Sequence, residues 1–404
     1  MIVDLHAHYP MHLVPRGRFR VLRLLFSGRA RRRLRDRVRA LLVGLASMVA
    51  NYRSLFSGPR ARMSYMRSGG VGVALSVVYS FFDELDIADG PEPRPGYLDS
   101  ILGQLKTVEK EIEQKHAAEA VVAHNPRQLE AARDAGKLAL VHCVEGGFYF
   151  GAEASHVKSA VHRHAGEGVA YITVAHLIWR GVATDAPAIP FLTDEQYREW
   201  FPQPDEGLSE LGKATVEAMV DEHVLIDVSH MSERALADTF ELLDHLDPAK
   251  SVPVVATHAG YRFGTQEYML SRETLERIAA RGGVVGLIFA EHQMGDVPCP
   301  EAKRRGAIEI GKRRRFERSF EVLCCHIDHI RDATGSHEFT AIGSDLDGFI
   351  KPTLGGLEDM RAMASLEEAL LKRYGKDGEL ICSGNALRVL KSYWRGSADE
   401  AAEG

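Results

Sequence analysis

Seven residues able to bind a metal or move a proton fall at the ends of short apolar segments. His6 and His8 close Ile2–His8, Glu145 closes Lys137–Glu145, and His176 stands at the end of Ala170–Leu177. His230, His258 and Asp345 close Val224–His230, Val252–His258 and Phe339–Asp345. If these segments are strands, alternation puts His6 and His8 on one face. It likewise aligns Ile226-Val228-His230, Val254-Ala256-His258 and Ala341-Gly343-Asp345 as inward stacks capped by a functional group. A lone strand histidine is most often core or rim packing. Several imidazoles and two carboxylates converging out of water would repel or strand one another, unless a cation neutralises the acids and takes the lone pairs. Imidazole with carboxylate and no thiolate suits Zn²⁺, with Mn²⁺, Fe²⁺ or Co²⁺ as competitors. A catalytic zinc needs three protein ligands and an open position. Four histidines and a glutamate exceed that, so two metals bridged by a carboxylate is the simplest arrangement.

The elements that must position these residues follow from the same segments. Val71–Ser80 and Gly283–Ala290 bring the strand count to eight, and amphipathic stretches such as Leu208–His223, Ser232–Leu246, Ser271–Ala280 and Ala307–Thr334 lie between strands. Ser232 and Ser271 precede acids and read as helix N-caps. Strands apolar on both faces and alternating with helices predict an α/β fold, a (β/α)₈ TIM barrel whose chemistry sits at the C-terminal strand ends. A doubly wound open sheet is the rival, but the first strand ends in His6-Ala7-His8 instead of a glycine-rich phosphate turn. The chain reads as a single barrel over residues 1–404, with a basic helical insertion at 11–67 after the first strand and closing helices between Leu357 and Trp394.

Several segments, in order along the chain, resemble the membrane (renal) dipeptidases, zinc peptidases of the amidohydrolase superfamily. They are Val141-His-Cys-Val-Glu-Gly-Gly147, Tyr171-Ile-Thr-Val-Ala-His176, Asp227-Val-Ser-His230, Thr257-His258, His326-Ile-Asp-His-Ile330, Ile342-Gly-Ser-Asp-Leu-Asp-Gly348, Gly355-Gly-Leu-Glu-Asp359 and Gly384-Asn-Ala-Leu-Arg388. The resemblance implies that His6 and His8 bind one zinc, that Glu145 bridges, and that His230 and His258 bind the second. It implies that His176 polarises the scissile carbonyl and that Asp345 manages the proton. Two departures stand out. The first-strand motif is His-x-His where the family usually has His-x-Asp, which leaves the site one unit more positive. Arg262, in Tyr261-Arg262-Phe263-Gly264, is the arginine available for the substrate carboxylate, at a different spacing from the family's. The expected activity is hydrolysis of a dipeptide amide bond by a hydroxide shared between two metals, with Asp345 as base and His176 as oxyanion donor. The runner-up is another amidohydrolase-type reaction, deacylation of an N-acyl amino acid or opening of a lactam or lactone.

Other polar residues carry plainer expectations. His142 has the opposite strand phase to Glu145 and reads as packing on the outer face. Asp347 precedes Gly348 and reads as a turn residue. Asp227 orients a ligand or bonds a neighbouring helix, Cys324-Cys325 packs in a helix, and Trp179 and Arg180 line either the pocket or a surface loop.

The composition is that of a soluble globular chain, 45% hydrophobic and 26% charged, and it excludes disorder and collagen-like architecture. The longest apolar candidate, Ala40–Ala50, is too short to span a membrane. No signal peptide is expected, because strand-like residues begin at Ile2. Cys143, Cys299, Cys324, Cys325 and Cys382 show no CxxC spacing and predict reduced thiols in a cytoplasmic protein. The net charge of −6 hides an asymmetry: Arg16 to Arg62 holds fourteen arginines against Asp36, about +13, leaving about −19 for the remainder. Packing of the insertion against this acidic remainder is the leading expectation. Peripheral contact with an anionic membrane, and a lid or homodimer interface, are the alternatives; nucleic acid is not expected as a partner.

Overall fold

The computed structural model describes residues 1–13, 59–80, 84, 96–190, 192–298, 312–348, 350 and 353–397. Nine parallel strands form its sheet: β1 (Ile2–Ala7), β2 (Val71–Val78), β3 (Ala120–Ala123), β4 (Leu138–Glu145), β5 (Tyr171–Thr173), β6 (Leu225–Asp227), β7 (Val254–Ala259), β8 (Val284–Leu287) and β9 (Thr340–Ile342). Eight of them close a barrel in the order β1-β2-β4-β5-β6-β7-β8-β9, with β9 paired back onto β1 through Asp4 and Ile342. The barrel is the (β/α)₈ TIM fold expected from the sequence.

The extra strand β3 lies outside the closed ring. It pairs with the first half of β4, from Ala120–Leu138 to Ala123–Val141, while β5 takes the end of β4 at Val144 and Glu145. One edge of β4 is thus shared by two partners in succession. β1 and β4 are buried at every residue, as expected for strands covered by core on one side and helices on the other. Two glycines let the interior close: a Cβ on Gly286 or Gly343 would lie 2.0 or 1.7 Å from the Thr257 carbonyl oxygen. That contact crowds β7, β8 and β9 around Thr257.

The helices Glu210–Asp221, Glu233–Leu246 and Arg272–Ala280 fall where the sequence places them. Ser232 and Ser271 accept from the backbone N–H groups of Ala235 and Thr274, as N-caps should. The C-terminal closure consists of Met363–Tyr374 and Asn385–Tyr393, joined through a short helix, Lys376–Glu379, and a π-helical stretch, Leu380–Gly384. Asn385 locks it to the barrel, its Nδ2 donating to the His337 and Thr340 carbonyls at 2.7 and 2.8 Å.

Residues 14–58 of the basic insertion lie outside the described residues, and so do the helical, membrane and subunit-interface expectations attached to them. Its two ends are described and are held by one side chain. Asp347 Oδ2 accepts from His12 Nε2 at 2.6 Å, and from the backbone N–H groups of Arg60 and Ala61 at 2.9 and 2.7 Å. With φ of 68°, Asp347 does occupy a left-handed turn position, and its carboxylate also ties the insertion to the loop carrying Asp345. No described helix is long and apolar enough to cross a membrane.

Candidate active site

The carboxylate of Glu145, at the end of β4, is the hub of a buried cluster. Its Oε1 lies 3.4 Å from His6 Nε2, 3.5 Å from His230 Nε2 and 3.4 Å from His258 Nε2. Its Oε2 lies 3.5 Å from His8 Nε2 and 3.2 Å from His176 Nε2. Asp345 Oδ1 is 2.9 Å from His8 Nε2 and 3.9 Å from His6 Nε2. All seven strand-end residues therefore meet at the C-terminal mouth of the barrel. Four of them sit beyond the paired strands: His8 directly follows β1, and His176, His230 and Asp345 each follow the last ladder residue by three positions. His230 and Asp345 turn in the left-handed region, at φ of 68° and 52°, a conformation costly for non-glycine residues and often kept where function demands it.

Hydrogen bonds fix which imidazole nitrogens face the hub. Asp227 accepts from Thr173 Oγ1 at 2.6 Å, Thr257 Oγ1 at 2.7 Å, Ser229 Oγ at 2.8 Å and the backbone N–H groups of Thr257 and Ser229. The single Thr257 hydroxyl proton is thereby committed to Asp227. Thr257 Oγ1 can then only accept from His6 Nδ1 at 3.0 Å and His258 Nδ1 at 2.9 Å. Tyr171 reinforces this, donating its hydroxyl to the Leu5 carbonyl and lying 2.8 Å from His6 Nδ1. With Nδ1 protonated, His6 and His258 turn their Nε2 atoms into the cluster, the nitrogen a metal would take. Asp227 thus acts through Thr257. On β1, Asp4 does a similar service, accepting from Ser344 Oγ at 2.5 Å and from the N–H groups of Ser344 and His6.

The electrostatics are strained without a cation. Burial opposes the charge on Glu145, yet His176 and His6 hold its pKa well below the ordinary range. Burial lowers His230, and burial together with His6 and His230 pushes His258 well below its usual value. Imidazole nitrogens meet head on, His6 Nε2 with His8 Nε2 at 3.2 Å and His230 Nε2 with His258 Nε2 at 2.9 Å. Glu145 Oε2 and Asp345 Oδ1 are buried without a well-aligned donor among the described residues. A nitrogen- and oxygen-rich, water-excluded set with orphaned acceptors fits divalent metal. The ligand-type groupings include His6–His8–Glu145, His6–Asp227–His258 and Glu145–His176–His230.

His176 has a partner the sequence did not reveal. Glu84, fully buried, is 2.6 Å from His176 Nδ1 through Oε2 and accepts from the Leu177 N–H through Oε1. Burial opposes protonation of His176, but Glu145 and Glu84 on either side raise its pKa well above normal. Both its nitrogens then carry protons, which suits a donor. Arg262 is not brought to this cluster. Its guanidinium is engaged by the Met269 carbonyl at 2.6 Å, the Glu267 carbonyl at 2.8 Å and the Glu233 carboxylate, so it latches the loop after β7. Arg180, buried on the loop after His176, stacks over Phe148 at 5.8 Å from the ring centroid.

The family model for membrane dipeptidases, peptidase family M19, matches residues 40–402. The chain belongs to this family. Among its relatives, Dipeptidase 3 of Rattus norvegicus is 27% identical over 198 residues, 48% of this chain and 35% of its own length. Dipeptidase 3 of Mus musculus is 26% identical over 260 residues, 63% of this chain and 44% of its own. The chain spans less than half the length of these two curated relatives. A metallopeptidase from Rhodobacter sphaeroides, solved with a phosphinate mimic of the dipeptide L-Ala-D-Ala, superposes with a TM-score of 0.65 over 97% of this chain and 99% of that one. At 19% identity, that likeness is one of fold.

Proposed function

We propose that this member of the membrane dipeptidase family hydrolyses dipeptides with two divalent cations held at the barrel mouth. The observation that carries the reading is the Glu145 carboxylate, with five imidazole Nε2 atoms within 3.5 Å of its two oxygens. His6, His8 and Glu145 would hold one cation, and Glu145, His230 and His258 the other, with Zn²⁺ the metal this donor set suits best. When bound, such a pair supplies Lewis acidity, polarising an amide carbonyl and making water a nucleophile near neutral pH. The dipeptide as substrate is supported by family membership and by the relatives' names.

The chain's own residues supply the rest. Asp345 is the base: its Oδ1 lacks an aligned donor and is free to accept the proton of attacking water. The same carboxyl then returns that proton to the leaving amine nitrogen. His176, flanked by Glu84, donates from Nε2 to the carbonyl oxygen as charge builds there. Asp227 and Thr257 hold His6 and His258 in the ligand tautomer. The burial of the cluster excludes bulk water and strengthens each of these interactions. A reducing compartment is part of the proposal, supported by four free cysteines among the described residues.

Asp345→Asn separates proton transfer from metal binding. Turnover should fall by roughly 10²–10⁴-fold while metal content stays at the parent level. Retained turnover, or loss of metal in step with activity, would remove Asp345 from the role given to it.

A further inference from the structure

Strand β4 carries a second histidine cluster on its other face. His142 is three residues before Glu145 and points outward, fully buried beneath the helix Tyr97–Lys115. Its Nε2 lies 3.3 Å from Glu109 Oε1 on that helix. His124, which follows β3, places its Nε2 3.8 Å from the same oxygen. The two rings are 5.6 Å apart at 71°, and one ligand atom from each of the three residues falls within a 4.8 Å group.

The His142–Glu109 contact is a long hydrogen bond at 3.3 Å, a separation that two ligands of one cation would also show. Metal–ligand bonds of about 2.0–2.2 Å in a tetrahedron put ligand atoms about 3.3–3.5 Å apart. A charge-assisted N–H···O bond closes to about 2.7–2.9 Å. The His142–Glu109 distance matches such an edge, and partly exposed His124, whose Nδ1 lies 3.1 Å from the Glu167 carbonyl oxygen, turns its Nε2 toward the same Glu109 oxygen. Burial lowers the pKa of His142 and keeps its imidazole neutral, as a ligand must be. Its other nitrogen, Nδ1, is buried without a hydrogen-bond partner among the described residues. Lys106 lies 3.6 Å from Glu109 Oε2 and also binds Glu167, so it occupies the far oxygen and leaves Oε1 to the imidazoles. The cluster opens on a cleft also lined by Glu167 and Ser397, which gives water access to a remaining coordination position.

We propose that Glu109, His124 and His142 form an outward-facing metal site that takes one divalent cation of the Zn²⁺ class, with water completing its coordination. The site joins β4, the connection after β3 and the helix over them. It also fastens the end of the chain. The Ser397 N–H donates to the His124 carbonyl at 2.9 Å, Asn125 Nδ2 donates to the Ser397 carbonyl at 3.1 Å, and a Cβ on Gly396 would lie 1.9 Å from that His124 carbonyl. A cation on His124 therefore braces the C-terminal segment against the barrel wall.

The test is a difference in metal content. Full-length protein, stripped with chelator and dialysed against buffered Zn²⁺, is analysed by mass spectrometry of the metal beside His124→Ala and Glu109→Gln, with circular dichroism confirming folding. Each variant should carry one equivalent fewer than the parent, with dipeptide turnover within about twofold of it. Equal zinc in the parent and both variants would overturn the proposal. Glu145→Gln in the same assay keeps the two sites apart: it should retain the equivalent that His124→Ala loses, whatever number the barrel mouth binds.

Discussion

The two faces of β4 present similar ligands in different settings, and the contrast shows what makes a histidine–glutamate cluster fit for catalysis. Inside, Glu145 meets five imidazoles, every member is buried, and the tautomers of His6 and His258 are set by Thr257 and Asp227. Outside, Glu109 meets two imidazoles, His124 and Glu109 are partly exposed, and Lys106 shares the carboxylate. The inner cluster has a spare acid, Asp345, and a protonated donor, His176, beside the ligand set. At the outer one, a protonated donor and an acid, Lys106 and Glu167, pair with each other. A metal held inside would therefore lie next to Asp345 and His176, whereas one held outside would join β4 to the helix and the connection around it.

That comparison can be broken most sharply at Glu145. Glu145→Gln removes the one anion facing both groups of histidines. We expect kcat/KM to fall by at least about 10³-fold, in the range set by the loss of a catalytic electrostatic partner, with metal at the barrel mouth lost in parallel. A variant that kept most of its activity would mean that the hub is structural. A smaller effect is expected one step back. Thr257→Val deletes the hydroxyl that His6 and His258 donate to and leaves Asp227 short of a donor. Zinc affinity at the mouth should drop about 10–100-fold while the outer equivalent is unchanged. The smallest effect belongs to the outer face, where His124→Ala should change metal content and leave turnover nearly untouched.

Much of the inner site was legible because barrel geometry imposes a pattern on sequence. Polar residues at the end of inward-facing stacks, such as Val254-Ala256-His258, stand out against apolar neighbours. The apolar segments run on to Leu177, His230 and Asp345, whereas the ladders end at Thr173, Asp227 and Ile342, and His230 and Asp345 take up left-handed backbone beyond them. No alternation pattern encodes such a turn. Glu84 was missed because it lies outside any strand, among the similar acids of Asp83-Glu84-Leu85-Asp86, and only the folded chain brings it to His176. The four residues of β3 are too few for a periodic signal. Arg262 was chosen for its charge and its closeness to His258 in sequence, but loop closure onto Glu233, Glu267 and Met269 decides where its guanidinium goes. The strand phase of His142 puts it on the outer face, where the structure packs it against Glu109. Its partners, Glu109 on a helix and His124 in a connection, share no motif with it, so the cluster exists only in three dimensions.

Dipeptide hydrolysis by this chain is proposed to depend on divalent metal that Glu145 and its histidines would hold. The most direct measurement strips the protein with chelator, assays it on a panel of L,L- and L,D-dipeptides beside N-acyl amino acids, and repeats the assay after stepwise return of Zn²⁺. Dipeptide hydrolysis should be absent from the stripped protein and should return as the barrel mouth fills. Turnover that persists with metal near zero, or hydrolysis of the N-acyl amino acids alone, would contradict it.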